Sequence, residues 1–341
     1  MKVNELGEFG LIDMIAQVLE ESGVGSGTRP EVIIGIGDDA AAVGARGHVP
    51  LRCNTLVTSD ILVQDVHFTL ATTTWRDLGW KALAVNISDI AAMGGTPSYA
   101  VISLGVPPET ESDSIGELYR GMAEIAREFG MAITGGDVTE SPLLIISPSI
   151  IGEVEEERML IRSGAKPGDR IAVTGYLGAS AAGLRMLQEN LKFDTETESA
   201  LRTAHVHPWP RVVEGQTLAR YGVKAAIDVS DGLIADLGHI CEASGVEARV
   251  NLPDVPVHPA VREGFGEEGF GLAVGGGEDY ELLFTAPEEV VKDVRQALST
   301  PVAVVGEVGE GEKGKVRVFD GRGKEVDWQD GGWEHFGKRL K

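Results

Sequence analysis

Three polar residues interrupt an otherwise apolar segment, "AVNISDIAAMGG", at positions 84 to 95. Asn86, Ser88 and Asp89 stand there among aliphatic side chains, in a helix that is predicted to begin near Trp75. A helix that is apolar on most of its surface must be covered by other elements on most sides. A carboxylate buried in this way loses more free energy on desolvation than packing supplies, so Asp89 must be neutral, hydrogen-bonded or bound to a cation.

Asn86, Asp89 and Met93 share one stripe of this helix, because they are spaced i, i+3 and i+7. The stripe can therefore face a polar site. For the helix taken alone, a buried aspartate that caps a neighbouring turn is an equally good interpretation.

The length of 341 residues indicates two domains rather than one. The segment "EEERMLIRSGAKPGD" at 155–169 is first charged and then rich in Gly and Pro, and a strand, "RIAVTG", follows it. We therefore predict a domain boundary near residue 155, with domains at 1–154 and 155–341. Helices and strands alternate in both, which indicates an α/β fold class built of α+β layers.

Hydrophobic periodicity gives the predicted elements of this fold. Further helices are predicted at 8–21, 115–129, 178–189, 210–221, 232–244 and 288–298. Strands are predicted at 31–37, 54–60, 99–106, 131–136, 143–154, 170–174, 224–228, 246–251, 279–285, 302–308 and 315–319. The stretch at 190–206 is polar, and we interpret it as a surface excursion.

The charge balance excludes two classes of partner. The chain has 30 basic and 53 acidic residues, a formal net charge of -23, whereas nucleic acids and anionic membranes attract basic surfaces. If the protein handles phosphates, metal ions must supply the positive charge. Cys53 and Cys241 form no CxxC pair, and no stretch approaches the length of a membrane-spanning helix, so we expect a cytoplasmic protein.

Acidic residues recur in turns rich in Gly, Ser or Thr that follow apolar strands. They are Asp38 and Asp39 in "GIGDDAAAV", Asp60 in "VTSDI", Asp137 in "ITGGDV", and Asp228 and Asp231 in "AIDVSDGL". Carboxylates with small neighbours are typical of magnesium-phosphate sites. Each alone is better explained as a turn or N-cap residue, but together they indicate a site with several metal ions.

Other motifs are less specific. The turn "VTGYLGASAAGL" fits neither the dinucleotide nor the P-loop pattern, and "VGGGEDYELLF" is a plain loop or a ligand-contacting one. His67 can reach a substrate phosphate, whereas His205, His207, His239 and His335 have no spacing for zinc and are interpreted as structural or surface residues. Arg162 and Lys166 belong either to a solvated linker or to a phosphate contact.

These segments resemble the thiamine-monophosphate kinases, in the superfamily that also contains aminoimidazole ribonucleotide synthetases and selenophosphate synthetases. The resemblance runs nearly end to end and is carried by "GEFGLI", "GIGDDAA", "TSDILV", "VHF", "KALAVNISDIAAMGG", "GGD", "RSGAKPGD", "AIDVSDGLIADLGHI", "GGEDYEL" and "GWEHF". It implies transfer of the γ-phosphoryl group of ATP to thiamine monophosphate, with several Mg²⁺ ions. It also implies a homodimer that forms through the strands of the N-terminal sheet domain, and a C-terminal α/β sandwich.

The resemblance also implies roles for individual residues. The implied metal ligands are Asp39, Thr58, Ser59, Asp60, Asp89, Asp137, Asp228 and Asp231, of which Asp60, Asp89 and Asp137 are the expected catalytic residues. The implied ATP contacts are Tyr119, Gly136, Asp137, Arg162 and Ser230, and the implied contacts to thiamine monophosphate are His67, Glu278 and Trp333. One departure is Gln64-Asp65, where the family commonly has Glu-Gly.

Two other functions are compatible with these motifs. One is another ATP-using member of the superfamily, with a different small phosphorylated acceptor. The other is a non-catalytic protein that binds divalent cations or nucleotides, and ATP turnover would separate it from an enzyme.

Overall fold

Two seven-stranded sheets form the framework of this computed structural model, within the residues it describes, 32–34, 38–44, 53–326 and 328. The first sheet comes from the N-terminal half of the chain and the second from the C-terminal half. Helices cover both sheets, so the expected α/β architecture of two sheet layers is confirmed. The predicted helix at 8–21 lies outside the described residues.

The strands of the first sheet are β1 Val32–Ile34, β2 Ala41–Gly44, β3 Cys53–Ser59, β4 Leu62–Val63, β5 Thr96–Val106, β6 Ala132–Glu140 and β7 Ile145–Glu155. Their order is β1-β2-β3-β7-β5-β6, and β4 pairs with β7. Strands β5 and β6 are parallel, while β3 and β5 both pair antiparallel with β7. Strand β6 is an edge of this sheet in the described part of the chain.

The strands of the second sheet are β8 Arg170–Thr174, β9 Ala225–Asp228, β10 Glu247–Asn251, β11 Leu282–Ala286, β12 Val302–Gly309, β13 Val316–Phe319 and β14 Glu325–Val326. Their order is β14-β13-β10-β12-β8-β11-β9. The pair β10–β13 is parallel, and the other neighbours are antiparallel.

The helices are α1 Trp75–Ala92, α2 Ser112–Glu128, α3 Ala179–Glu189, α4 Thr195–Val206, α5 Val212–Arg220, α6 Leu233–Ser244, α7 Pro259–Phe265, α8 Gly269–Gly275 and α9 Glu288–Ala297. Helix α1 begins where predicted, because Thr74 caps it by accepting a hydrogen bond from the Asp77 amide at 3.1 Å.

Helices α1 and α2 cross at unusually short range. A Cβ at Gly79 would lie 1.9 Å from the carbonyl oxygen of Leu118, and one at Gly121 would lie 1.9 Å from that of Arg76. Only glycine fits at these two positions, and the close approach seals one side of α1.

The end of α1 lies between the two halves of the chain. Ala92 packs in one apolar cluster with Leu218 and Phe284 from the second half, whereas Ile87 and Ile90 belong to the core of the first half. The helix is therefore covered on most sides, as its composition predicts, and its polar residues lie where the two halves meet.

The prediction of a surface excursion at 190–206 was wrong, because most of this stretch forms helix α4. Asp194 caps the helix, accepting hydrogen bonds from the amides of Glu196 and Thr197, both at 3.0 Å. Leu201 and His205 follow Thr197 at four-residue intervals, and all three are buried. This narrow stripe is hidden among polar residues, so composition alone does not reveal the helix.

Candidate active site

Three carboxylates from separate parts of the chain converge at the junction of the two halves. Asp39 precedes β2, Asp89 lies near the end of α1, and Asp228 ends β9. One oxygen of each lies within 4.8 Å of one oxygen of the others. We call these three residues the inner carboxylate cluster.

Asp89 has one hydrogen-bond donor in the described residues, the Thr58 hydroxyl, which donates to Oδ2 at 2.6 Å. Burial, followed by the charges of Asp60, Asp228 and Asp39, raises the pKa of Asp89 well above its usual range. One hydrogen bond does not compensate Asp89 beside three other carboxylates, so this residue needs a proton or a cation.

Asp228, on the other side of the junction, is likewise a buried carboxyl group with a raised pKa and a hydroxyl donor. Its Oδ2 accepts a hydrogen bond from Ser88, while burial and the charge of Asp39 raise its pKa to about 8. At neutral pH and without a cation, a proton therefore occupies much of this carboxyl group.

Asn86 holds the loop that carries Asp60. Its side-chain oxygen accepts a hydrogen bond from the Asp60 amide at 2.9 Å, and its Nδ2 donates to the Ala82 carbonyl at 3.2 Å. Burial and the Asp39 charge raise the pKa of Asp60 to about 6. Each polar residue of α1 thus has its own partner near a strand end: Asn86 with Asp60, Ser88 with Asp228, and Asp89 with Thr58.

Arg162 brings the linker between the sheets to the inner carboxylate cluster. Its Nη2 donates to Asp39 Oδ1 at 2.7 Å, and its backbone amide donates to Asp38 Oδ2 at 3.0 Å. Asp39 Oδ2 is buried and has no hydrogen-bond partner among the described residues. A buried carboxylate oxygen without a donor, close to two more carboxylates, fits a ligand position for a divalent cation.

The Ser230-Asp231-Gly232 turn is fixed by an aspartate that sequence reasoning missed. Asp236 accepts hydrogen bonds from the amides of Ser230, Asp231 and Gly232 at 3.1, 3.1 and 3.0 Å. Oxygens of Asp231 and Asp236 and a ring nitrogen of His239 lie within 4.8 Å of one another. The signal in the sequence is an acidic residue in the first turn of a helix that follows a strand.

The other expected ligands lie on a different surface. Asp137 is exposed and lies within β6 opposite Ser103, not in a turn after a strand as the sequence indicated. Ser59 faces the same exposed side of the sheet, where its hydroxyl donates to the Pro148 carbonyl at 2.9 Å and accepts from Ser149 at 2.9 Å. The structure therefore does not bring Asp137 and Ser59 to the inner carboxylate cluster.

Gly136 lies at a close backbone contact between two strands. This contact explains the pair Gly135-Gly136, which the sequence analysis interpreted as part of a turn. A Cβ at Gly136 would lie 1.9 Å from the Ile102 carbonyl oxygen, because β6 runs tightly along β5 there. Tyr119 is half-buried on α2, where burial raises the pKa of its hydroxyl.

The expected acceptor residues lie next to a buried lysine. The ammonium of Lys81 lies 2.8 Å from Glu278 Oε1, and His205 Nδ1 lies 3.5 Å from Glu278 Oε2. Burial acts to raise the pKa of Glu278, but neighbouring groups, Lys81 foremost, outweigh it and lower that pKa. His67 Nδ1 accepts a hydrogen bond from the Val63 amide at 3.0 Å. Trp333 lies outside the described residues.

The sequence analysis missed Lys81 and assigned His205 only a structural or surface role. A lysine in the apolar run "GWKALAV" was an available signal, since a buried ammonium needs a partner. His205 is buried, and its Nδ1 lies 3.2 Å from the Ser180 hydroxyl. Burial and the nearby charge of Lys81 lower the pKa of His205 to about 3, so its ring is neutral at pH 7.

The loop that carries Glu278 packs on the Ser230 turn. The Glu278 amide donates to the Ser230 carbonyl at 2.8 Å, and a Cβ at Gly277 would lie 2.3 Å from that same oxygen. Glu278 and Tyr280 have positive φ values of 65° and 52°. Asp279 accepts hydrogen bonds from the amides of Gly178 and Ser180 at 2.6 and 3.2 Å, so it ties the loop to the start of α3.

No helix in the described ranges is both long enough and apolar enough to pass through a membrane.

Comparisons with known proteins match both halves of the chain. The family described as AIR synthase related protein, N-terminal domain, matches residues 37–154, and its C-terminal domain family matches residues 166–319. Thiamine-monophosphate kinase of Salmonella typhimurium is 39% identical over 336 residues, covering 97% of this chain and 98% of that protein. The enzyme of the same name from Bacillus subtilis is 40% identical over 295 residues, covering 84% and 88%.

A solved structure of AaThiL complexed with AMPPCP and TMP has the same fold. Its TM-score is 0.83 at 34% sequence identity, and the match covers 98% of this chain and 99% of that one.

Proposed function

This chain belongs to the thiamine-monophosphate kinase family of AIR synthase related proteins, and we propose that it transfers the γ-phosphoryl group of ATP to thiamine monophosphate. The product is thiamine diphosphate, so this is the final step of that cofactor's biosynthesis. The full-length similarity to named kinases supports this activity, as does the AaThiL complex, which holds AMPPCP and TMP.

The observation that carries the proposal is the unsatisfied Asp39 Oδ2 within the inner carboxylate cluster. Asp39, Asp89 and Asp228 offer oxygen ligands of the kind that Mg²⁺ prefers, in a chain of net charge -23 that must bind two polyanions. When bound, Mg²⁺ would neutralise phosphate oxygens and reduce the repulsion between ATP and its acceptor. Arg162, which contacts Asp39, would supply a second positive charge to the ATP phosphates.

Phosphoryl transfer to this acceptor does not require the protein to remove a proton. A phosphate monoester has a second pKa of about 6, so at neutral pH it is mostly a dianion and attacks without a general base. Asp60, Asp89 and Asp137 would then act by holding cations and aligning phosphates. Catalysis of this kind depends on positioning and charge compensation.

Part of the proposed ATP site lies on the exposed side of the first sheet. The Ser147 hydroxyl donates to the Asp60 carbonyl at 3.0 Å, Ser147 pairs with Ser103, and Ser103 pairs with Asp137. This row runs across the exposed side of the sheet from Asp60 to Asp137 on the edge strand. We assign Tyr119, Gly136, Asp137 and Ser230 to ATP, and Ser59, Asp137, Thr58 and Asp231 to metal ions, on the family resemblance.

A homodimer would cover this side of the sheet. The exposed apolar residues there are Val57, Tyr99, Val101 and Ile151. Edge strand β6 adds backbone groups that can pair with a second chain. A patch of this kind on a sheet is typical of an interface between protein chains.

His67, Glu278 and Trp333 are the proposed contacts to thiamine monophosphate. An indole stacked on the thiazolium ring would contribute roughly 0.5 to 2 kcal/mol. A cytoplasmic location is also proposed, because Cys53 and Cys241 are both free thiols.

The test is to mix the protein with ATP, Mg²⁺ and thiamine monophosphate and to follow thiamine diphosphate by chromatography, with thiamine as the control acceptor. Thiamine diphosphate formed from thiamine monophosphate, with no product from thiamine, supports the proposal. ATP binding without any consumption of ATP would instead indicate a non-catalytic protein. ATP consumption with another phosphorylated acceptor would reject only the choice of thiamine monophosphate.

A further inference from the structure

A buried ion pair connects helix α1 to the loop of the proposed acceptor site. Lys81 and Glu278 come from different halves of the chain, and their Nζ–Oε1 distance is 2.8 Å. The Lys81 side chain is 6% exposed, whereas that of Glu278 is 31% exposed. Lys81 therefore holds one edge of the carboxylate from within the protein and leaves another edge accessible to a ligand.

The backbone of the loop does not by itself favour this position. Glu278 has φ 65°, a conformation that side-chain-bearing residues seldom adopt, and Tyr280 has φ 52°. A Cβ at Gly277 would lie 2.3 Å from the Ser230 carbonyl oxygen, so only glycine lets the loop run this close to the Ser230 turn. Contacts made by the Glu278 side chain add to the backbone hydrogen bond to Ser230 and to the Asp279 contacts that hold the loop in this strained form.

Lys81 carries the full positive charge that contacts the Glu278 carboxylate. His205 lies 3.5 Å from Glu278 but is neutral, since burial and Lys81 lower its pKa to about 3. His67 adds a smaller favourable interaction from the side of the first sheet. Of the described groups that act on Glu278, only Lys81 is a buried cation in direct contact with it.

We propose that Lys81 is a positioning residue for the acceptor, fixing the Glu278 carboxylate where it meets the cationic ring portion of thiamine monophosphate. This inference rests on the proposed function. A carboxylate held in this way can accept hydrogen bonds from an amino group and can attract the thiazolium charge, whereas a protonated or rotated one cannot. Lys81 itself would not touch the substrate.

The test compares steady-state kinetics of Lys81→Met, Glu278→Gln and the double variant with wild type. Lys81→Met should raise KM for thiamine monophosphate about tenfold or more while KM for ATP stays within about twofold. Because Lys81 acts through Glu278, the double variant should match Glu278→Gln within about twofold. Lys192→Met, at an exposed lysine, is the matched control and should behave as wild type.

An unchanged KM for thiamine monophosphate in a folded Lys81→Met protein would overturn the inference. So would a double variant whose KM rises by the product of the two single effects. If Lys81→Met does not fold, Lys81→Gln, which keeps a polar group beside Glu278 but no charge, takes its place, and an unchanged KM for thiamine monophosphate in that variant overturns the inference.

The assay of the wild-type protein distinguishes a failure of the proposed function from a failure of this inference. Wild type that forms no thiamine diphosphate rejects the proposed function and this inference with it. Active wild type with a Lys81→Met variant of unaltered KM rejects only the role of Lys81.

Discussion

The hydroxyl of Ser88 donates a hydrogen bond to Asp228 Oδ2, and this contact joins α1 of the first half to the end of β9 in the second. It favours the ionised form of Asp228, but burial and the charge of Asp39 outweigh it and raise the pKa of this carboxyl group to about 8. The two halves therefore meet through groups of the proposed metal site itself.

Ser88→Ala should weaken metal binding without unfolding the protein. Losing a hydrogen bond to a charged group costs about 1.5 to 3 kcal/mol, which corresponds to roughly a tenfold or greater rise in the Mg²⁺ concentration for half-maximal activity. A magnesium titration of activity measures this shift. Ser112→Ala, at an exposed serine that begins α2, is the control, and an equal effect in both variants would contradict the prediction.

Asp89→Asn should leave the fold intact and reduce turnover by about two orders of magnitude or more, because it removes a ligand charge from the inner carboxylate cluster. The same change should raise the Tm of metal-free protein, since it relieves repulsion among buried carboxylates. Calorimetry in a chelator and a turnover assay measure the two effects. Activity near that of wild type would refute the role of Asp89.

Stability should depend on pH through Asp228. Its pKa is about 8 in the folded chain, above its ordinary value, so its contribution is full at low pH and is lost as pH rises through about 8. Metal-free protein should therefore lose stability between about pH 6 and pH 8.5, while the Mg²⁺-induced rise in Tm grows because fewer protons compete. Asp228→Asn should remove most of this dependence, and equal Mg²⁺ effects at both pH values would argue against it.

Val101→Glu should prevent the proposed dimer. Val101 is 42% exposed on β5, on the exposed side of the first sheet, and a charge there would be buried against a partner chain. Light scattering after gel filtration should show monomers, with weaker ATP binding. Val213→Glu is the matched control, because Val213 is 67% exposed on α5, and loss of dimers in both variants would count against this interface.

Asp194→Ala should destabilise α4 without altering the active site. Removing the N-cap costs about 0.5 to 2 kcal/mol of unfolding free energy, which urea denaturation measures. Ser199→Ala on the exposed face of the same helix should change stability by less than about 0.5 kcal/mol. A comparable loss in both variants would show that capping is not the cause.

The sequence predicted much of the fold because its strands and helices have clear periodicity. It located the buried polar residues of α1, but not their partners, because the distance from Ser88 to Asp228 depends on packing between halves. Asp137 was misplaced because Gly135-Gly136 has the composition of a turn, whereas Gly136 allows β6 to lie close to β5.

Lys81 and His205 were missed for a related reason. Each lies in a helix whose hydrophobic periodicity is explained by its other residues. Neither has a neighbour in the sequence that suggests a ligand-binding role. Only the folded chain brings them to Glu278. The boundary near residue 155 stays a prediction.

Asn86, Ser88 and Asp89 lie within one turn of a rigid helix, and each reaches a different strand end. The axial rise from Asn86 to Asp89 is about 4.5 Å, and it is fixed by the hydrogen-bonded helix. The spacing of these three contacts along α1 is therefore set by the helix and not by the loops and strand ends that it contacts.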